Sequence, residues 1–275
     1  MTLLAKTNTN TGSGRIVLWA FSCLVIAFLT APILVVVIVS FNDTTQFDLP
    51  PLRWSLRWYS TLLESRDWRE AFWLSLWVAA AVTIIALLLG VPAGYALARA
   101  HFIGRRLVEF VLVSPMVVPV IVLALGLYIL FARLGLIGTP ACLLLAHSVL
   151  ALPVVIVIVT AAFRRQDAAV ELAARACGAS FIRAFWHVVL PSVRPALISA
   201  GAFAFLTSFD EVVLALFLGG PEATTLPKRI WEAVKFELDP SLTAISTILI
   251  GLTLVALLAV ELGRSTTSQG INKEI

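Results

Sequence analysis

Ala71-Phe-Trp-Leu-Ser-Leu-Trp-Val-Ala-Ala-Ala-Val-Thr-Ile-Ile-Ala-Leu-Leu-Leu-Gly-Val-Pro-Ala-Gly-Tyr-Ala-Leu-Ala98 contains no charged side chain from end to end. A helix needs about 20 apolar residues to cross the hydrocarbon core of a bilayer, and this run exceeds that. Uncharged runs of similar length cover residues 16–41, 110–132, 134–163 and 240–260, giving spans over about 16–41, 71–98, 108–132, 141–163 and 240–262, the fourth starting after the turn Gly138-Thr139-Pro140. A further stretch, 195–219, is interrupted by Asp210 and Glu211. The runs are continuous and lack the two-residue alternation of a membrane strand, so they read as helices. The expectation is an all-α integral membrane protein with about six transmembrane helices. One membrane domain, 15–263, lies between a disordered tail, 1–14, and a second tail, 264–275. The apolar run after the first tail is too long for the core of a cleaved signal peptide and is read as the first span.

Composition agrees with that solvent. Hydrophobic residues make up 60% of the chain and charged ones 13%, with a mean hydropathy of +0.99; a soluble domain carries about 25% charged residues. The net charge of +4 fits membrane orientation better than nucleic-acid binding, because no basic stripe is interleaved with aromatics. Cys23, Cys142 and Cys177 have no metal-ligand spacing and read as small packing residues. Lys and Arg concentrate in the loop after the second span (Arg99, Arg105, Arg106) and in the loop after the fourth (Arg164, Arg165, Arg175, Arg183, Arg194), while the third loop has only Arg133. With Lys6, Arg15, Arg264 and Lys273 in the tails, both termini and the second and fourth loops are expected in the cytoplasm. Trp54, Trp58, Tyr59, Trp68, Trp73 and Trp77 around the first loop read as an interfacial aromatic belt.

The fourth loop, 164–194, is longer than a simple connection requires. Asp167 is placed to cap a helix over 168–177, Gly178 to end it, and Ser180 to cap a second helix over 181–189. Leu190-Pro191 is expected to stop that second helix, since proline disfavours helix in the preceding residue. Glu171-Leu172-Ala173-Ala174, then Gly178, then Val188-Val189-Leu190-Pro191 resembles the EAA loop of ABC-importer permeases: Glu-Ala-Ala, three residues, Gly, nine residues, Ile-x-Leu-Pro. Two departures are that Glu171 stands one place further from the alanines and that Val188 replaces isoleucine. The resemblance implies a type I ABC importer permease fold in which this segment is the cytoplasmic coupling helix, docked on an ATPase. On that reading Glu171, Ala173, Ala174, Gly178, Leu190 and Pro191 form the coupling site. The small alanines allow close approach, Gly178 allows a sharp exit, and Glu171 pairs with a basic residue of the partner.

The resemblance extends along most of the chain. Ser208-Phe209-Asp210-Glu211-Val212-Val213, Thr225-Leu226-Pro227, Ala244-Ile245-Ser246-Thr247, Ser40-Phe41-Asn42-Asp43 and Ser114-Pro115-Met116-Val117-Val118-Pro119 look like the spermidine/putrescine permease family. Similar sequences serve importers of aminoethylphosphonate, γ-aminobutyrate and opines. The implied setting is the bacterial inner membrane, in contact with lipid. The implied partners are a second homologous permease subunit, an ABC ATPase dimer and a periplasmic substrate-binding protein. On a continuous fifth helix, Asp210 and Glu211 would lie roughly 5 Å from the midpoint. Carboxylates at that depth face a cavity or a partner and suit a cationic amine, so both are candidate pathway residues. The alternative is that they pair structurally with a basic residue.

His147, alone in an apolar run, reads as a hydrogen-bonded core residue; His101 and His187 suggest no metal. Pro92, Pro115, Pro119 and Pro153 are expected to kink their helices or free carbonyls. The outer segment 219–239 carries an amphipathic stretch, Lys228–Glu237. No phosphate-binding Gly-x-x-x-x-Gly-Lys-Ser/Thr loop occurs, so ATP and Mg²⁺ are assigned to the partner ATPase and no cofactor to this chain. No nucleophile–base–orienter set argues for an enzyme. A gradient-driven secondary transporter would predict repeated halves, and none is found.

Overall fold

A computed structural model describes residues 11–44, 49–51, 53–236 and 240–254. Among them the regular structure is helical, with one isolated antiparallel bridge between Asn42 and Trp54. The chain divides into two compact units, residues 1–65 with 236–275, and residues 66–235.

In the first unit, α1 (Thr11–Val39) is a long apolar helix. Residues 11–14, expected in the disordered tail, are helical, because extending an established helix costs far less than nucleating one. Residues 1–10 lie outside the described residues. Ser40 follows the helix and donates its hydroxyl to Val37 O at 2.6 Å. That leaves the Tyr59 hydroxyl, 2.7 Å away, as the donor to Ser40 Oγ. Phe41 packs against Trp54 and Tyr59. The short helix α2 (Arg57–Glu64) buries Trp58 and Leu62. The last expected span, 240–262, is described only as Ser241–Leu254; its end and the tail 264–275 fall outside the described residues.

The second unit begins with α3 (Arg66–Arg99), then α4 (Arg105–Val113), a 3₁₀ turn (Ser114–Met116), α5 (Val120–Arg133) and α6 (Pro140–Arg165). The fourth loop holds α7 (Ala168–Ala176), α8 (Phe181–Ala184), a π-helical turn (Phe185–Val189) and α9 (Leu190–Ser192). It continues through α10 (Arg194–Phe209), α11 (Val213–Leu218) and α12 (Leu226–Phe236).

Its core is the packing of α3, α6 and α10. Val78, Val82, Ala86, Gly90 and Gly94 recur every fourth residue on α3 and are buried. Leu143, His147, Ala151, Val155, Val159 and Phe163 do the same on α6. The two rows face each other: a Cβ added to Gly90 would fall 2.7 Å from Val155 Cγ1, and one added to Gly94 3.1 Å from Val159 Cγ1. A step of four on one helix matches a step of four on the other, so α3 and α6 run parallel. Inside a bilayer apolar burial does not drive helices together; close van der Waals packing does, and small residues at the contact permit it. Ala200, Gly201, Ala204 and Ser208 continue that logic on α10.

Two expected spans are not single helices. The stretch 108–132 is broken between Arg105–Met116 and Val120–Arg133, which meet at 99°. Pro119 is the cause: it stands extended at φ −54°, ψ 130°, has no N–H to continue a helix, and biases Val118 away from helix. Pro92 and Pro153, by contrast, sit inside continuous helices. The stretch 195–219 is helical to Phe209, opens at 210–212, and resumes as α11. It is preceded by a 74° bend between Phe181–Ser192 and Arg194–Phe209. The end expected at Leu190-Pro191 is also displaced, because Leu190 stays helical at φ −64°, ψ −42° and the chain turns only at Val193. The wider π turn just before Pro191 changes the register in which the proline ring meets the preceding carbonyls.

The ends of this core are defined by polar contacts. Arg99 donates to Gln166 O at 2.9 Å, and Arg164 pairs with Glu109 at 2.9 Å. The loops after α3 and α6 therefore share one end, as their common basic charge implied. At the other end Gly138 N donates to Leu218 O at 2.9 Å and Leu226 N to Ser75 Oγ at 2.7 Å. The aromatic belt needs one correction: Trp54, Trp73 and Trp77 are exposed, but Trp58 and Trp68 are buried. The Trp68 ring carries the Arg229 guanidinium 5.0 Å from its centroid, so its polar neighbour is a cation on α12.

Candidate functional site

The α7 segment is built by caps that the sequence supplies. Asp167 accepts from Ala169 N at 2.9 Å, satisfying one of the free amides of the first turn. At the other end Ala179 N donates to Ala174 O and Gly178 N to Arg175 O. This paired closure requires a left-handed residue, and Gly178 supplies it at φ +91°. Ser180 then accepts from Arg183 N at 3.3 Å and starts α8.

The orientation of α7 differs from expectation at one residue. Glu171 is its one buried residue. Its two carboxylate oxygens each lie 2.9 Å from the Tyr95 hydroxyl, which donates to them from α3. The carboxylate is thus turned toward its own chain, and the expected pairing with a partner's basic residue is not the arrangement seen. The reason is physical: inward-facing Tyr95 offers a donor, and a buried carboxylate without one would be costly. Val170 and Leu172 are exposed, Ala173 is exposed and Ala174 half-buried. Leu190 and Pro191 lie past the π turn, at the entry to α10.

Asp210 and Glu211 lie at the opening between α10 and α11, not on a continuous helix, so a depth counted along one helix does not apply. They divide the work. Glu211 Oε1 accepts from Leu214 N at 2.9 Å and caps α11. Asp210 is exposed, and no described residue hydrogen-bonds or ion-pairs with its carboxylate. The break also frees the Ser208 carbonyl, since α10 ends one residue later. His147 Nδ1 lies 3.1 Å from that oxygen and 3.0 Å from Ser208 Oγ. The free carbonyl assigns a proton to Nδ1. His147 is thereby a hydrogen-bonded core residue, as its isolation implied.

Sequence reasoning missed two side chains. Tyr95 stood inside an apolar run; its hydroxyl, one turn before Arg99 at the same end of α3, was the available signal. Lys228 was read only as the start of an amphipathic stretch, yet it is buried and donates to Gly219 O at 3.1 Å. A cation directly after Thr225-Leu226-Pro227, nine residues past the Gly219 carbonyl that follows α11, could have suggested a cap. Among the described residues no group of His, Cys, Asp and Glu could hold a metal ion.

Comparison with known proteins matches residues 87–265 to the family described as "Binding-protein-dependent transport system inner membrane component". The chain is 36% identical over 231 residues to the putrescine transport system permease protein PotI of Escherichia coli strain K12, covering 82% of each. It is 32% identical over 249 residues to the spermidine/putrescine transport system permease protein PotC of the same strain, covering 90% of this chain and 94% of that one. In structure it resembles a chain of a bacterial ABC transporter involved in the import of the acidic polysaccharide alginate. The TM-score is 0.70 at 18% identity, over 92% of this chain and 97% of the other; that likeness speaks to the fold.

Proposed function

Because this chain belongs to the binding-protein-dependent transport system inner membrane components, we propose that it admits a polyamine or a related small cationic amine past Asp210. It is a multi-pass inner-membrane permease of an importer that works with an ATPase and a substrate-binding protein. Its relatives are transport permeases, and we read this chain likewise as a conduit without catalysis of its own, leaving ATP and Mg²⁺ to the ATPase. The finer assignments are ours: a second homologous permease completing the pathway, an ATPase dimer on the loop of α7, and a periplasmic binding protein on the opposite end. The end carrying Arg99, Arg164 and α7 then faces the cytoplasm, with both termini.

One observation carries the substrate reading. Asp210 presents an exposed carboxylate with no partner among the described residues, at a break that also leaves backbone carbonyls outside helical bonding. An unpaired carboxylate accepts hydrogen bonds from an ammonium group, and charge-assisted bonds of this kind replace the water a cation gives up. Glu211, occupied by the α11 amide, shapes the break. For coupling, the exposed Val170, Leu172 and Ala173 offer a small apolar face to an ATPase cleft, and the Gly178 exit, with Leu190 and Pro191, sets how α7 joins α10.

The test is uptake of labelled putrescine and spermidine by the whole importer, with aminoethylphosphonate, γ-aminobutyrate and an opine as competitors. Asp210→Asn should reduce amine uptake about 10-fold or more, the equivalent of one hydrogen bond to a charged group at about 1.5–3 kcal/mol. Glu211→Gln retains an accepting oxygen and should change uptake less. Equal uptake by Asp210→Asn and the parent, or transport of an anionic solute in preference to amines, refutes the reading.

A further inference from the structure

We propose that Tyr95 is the positioning residue that keys α7 to α3, so that movement of α7 on its ATPase is delivered to a helix crossing the membrane. The inference rests on the coupling reading of α7 and adds the residue through which the motion passes. Among the described residues, the Tyr95–Glu171 contact is the one side-chain hydrogen bond joining α7 to a spanning helix. The other bonds of α7 described are its caps, all within the same loop.

The geometry is that of a fixed post and a movable hook. The Tyr95 ring meets Phe163 of α6 edge-on at 5.3 Å, Phe185 of the π turn at 5.1 Å and Phe181 of α8 at 6.0 Å. Three rings from three segments hold the phenol in place. Its hydroxyl reaches both oxygens of Glu171 at equal distance, so the proton is shared by the carboxylate as a unit. No apolar residue of α7 is buried; removal of this one bond leaves the helix attached to the core only through its neighbours in the loop. A helix held that loosely would turn on its own hinges when pulled, and nucleotide-driven motion would be spent within the loop.

The experiment uses the full importer in proteoliposomes and reads solute moved per ATP hydrolysed, together with crosslinking from Cys177, a free exposed cysteine beside α7, to the ATPase. Tyr95→Phe keeps the ring and removes the hydroxyl. It should lower the solute-to-ATP ratio at least about five-fold, the loss of roughly one hydrogen bond's worth of coupling, while the Cys177 crosslink persists. Glu171→Gln, made alone, keeps an accepting oxygen for the Tyr95 hydroxyl and should leave the ratio within about two-fold of the parent. If Tyr95→Phe does not assemble, Glu171→Leu cuts the same bond from the other side and takes its place. A parental ratio with the crosslink intact overturns the role of Tyr95 alone. Absence of the crosslink in the parent overturns the coupling reading and this inference with it.

Discussion

The parallel core of α3 and α6 is fastened differently at its two ends. Beside α7 the ties run through long ionisable or phenolic side chains: Tyr95 to Glu171, Arg164 to Glu109, Arg99 to Gln166 O. At the opposite end the ties between elements use the backbone or a short hydroxyl, Gly138 N to Leu218 O and Leu226 N to Ser75 Oγ, while the long side chain of Lys228 reaches Gly219 O within its own segment. A bond between two main chains, or to a serine one carbon from its backbone, fixes spacing and yields little. A bond between long side chains can re-form after a shift of several tenths of an ångström. The end that receives an ATPase on the proposed reading is the adjustable one, and the far end acts as its anchor.

The comparison presupposes that α3 and α6 stay in contact, and the largest expected effect comes from forcing them apart. Gly90→Ala would bring a methyl to 2.7 Å from Val155 Cγ1. The strain should cost about 1–3 kcal/mol, the usual range for overpacking, and appear as a lower melting temperature of the detergent-solubilised chain. Adding Val155→Ala removes the nearest obstructing atom, leaving Cβ at 3.1 Å, and should recover most of that loss. If the single change is neutral, the close approach does not set the distance between the ends.

How much of this was legible beforehand depends on the range of the interaction involved. The α7 loop was readable because its caps are local: Asp167, Gly178 and Ser180 act on amides and carbonyls within a few residues. The spans α3 and α6 followed from length and apolarity, and Thr139 with Pro140 marked the start of α6. The break after Phe209 was not readable as a break, for no glycine or proline lies at 209–213 to announce it. The signal present was Glu211 three residues before Leu214, the spacing of a cap, and it was read as a pathway charge instead. The inward turn of Glu171 depends on Tyr95, 76 residues away. Nothing in the Ala-rich pattern of α7 says which face a distant donor will claim.

A smaller effect separates the two ends directly. Ser75→Ala leaves the buried Leu226 N without its acceptor, at a cost of about 1–3 kcal/mol for an unsatisfied donor. The melting temperature should fall, and α12, which begins at Leu226, should exchange its amide hydrogens faster. The solute-to-ATP ratio of molecules that remain folded should match the parent. A reduced ratio without destabilisation would mean that the anchor end also takes part in coupling, and the division between the ends would fail.

The smallest effect sharpens the adjustable end. Asp167 caps α7 from an exposed position and touches neither α3 nor α6 by any bond described, so its removal isolates local helix stability from the Tyr95 tie. Asp167→Ala should cost about 1 kcal/mol, roughly a five-fold increase in the opening equilibrium of the first turn. Hydrogen exchange at Ala169 and Val170 should quicken by that factor, with the global melting temperature unchanged. Asp167→Asn, which still offers an oxygen to Ala169 N, should exchange nearly as the parent does. Faster exchange that spread to Tyr95 and the adjoining turn of α3 would show that cap and key act as one unit; confinement to α7 shows that the helix can loosen while its single buried carboxylate stays in place.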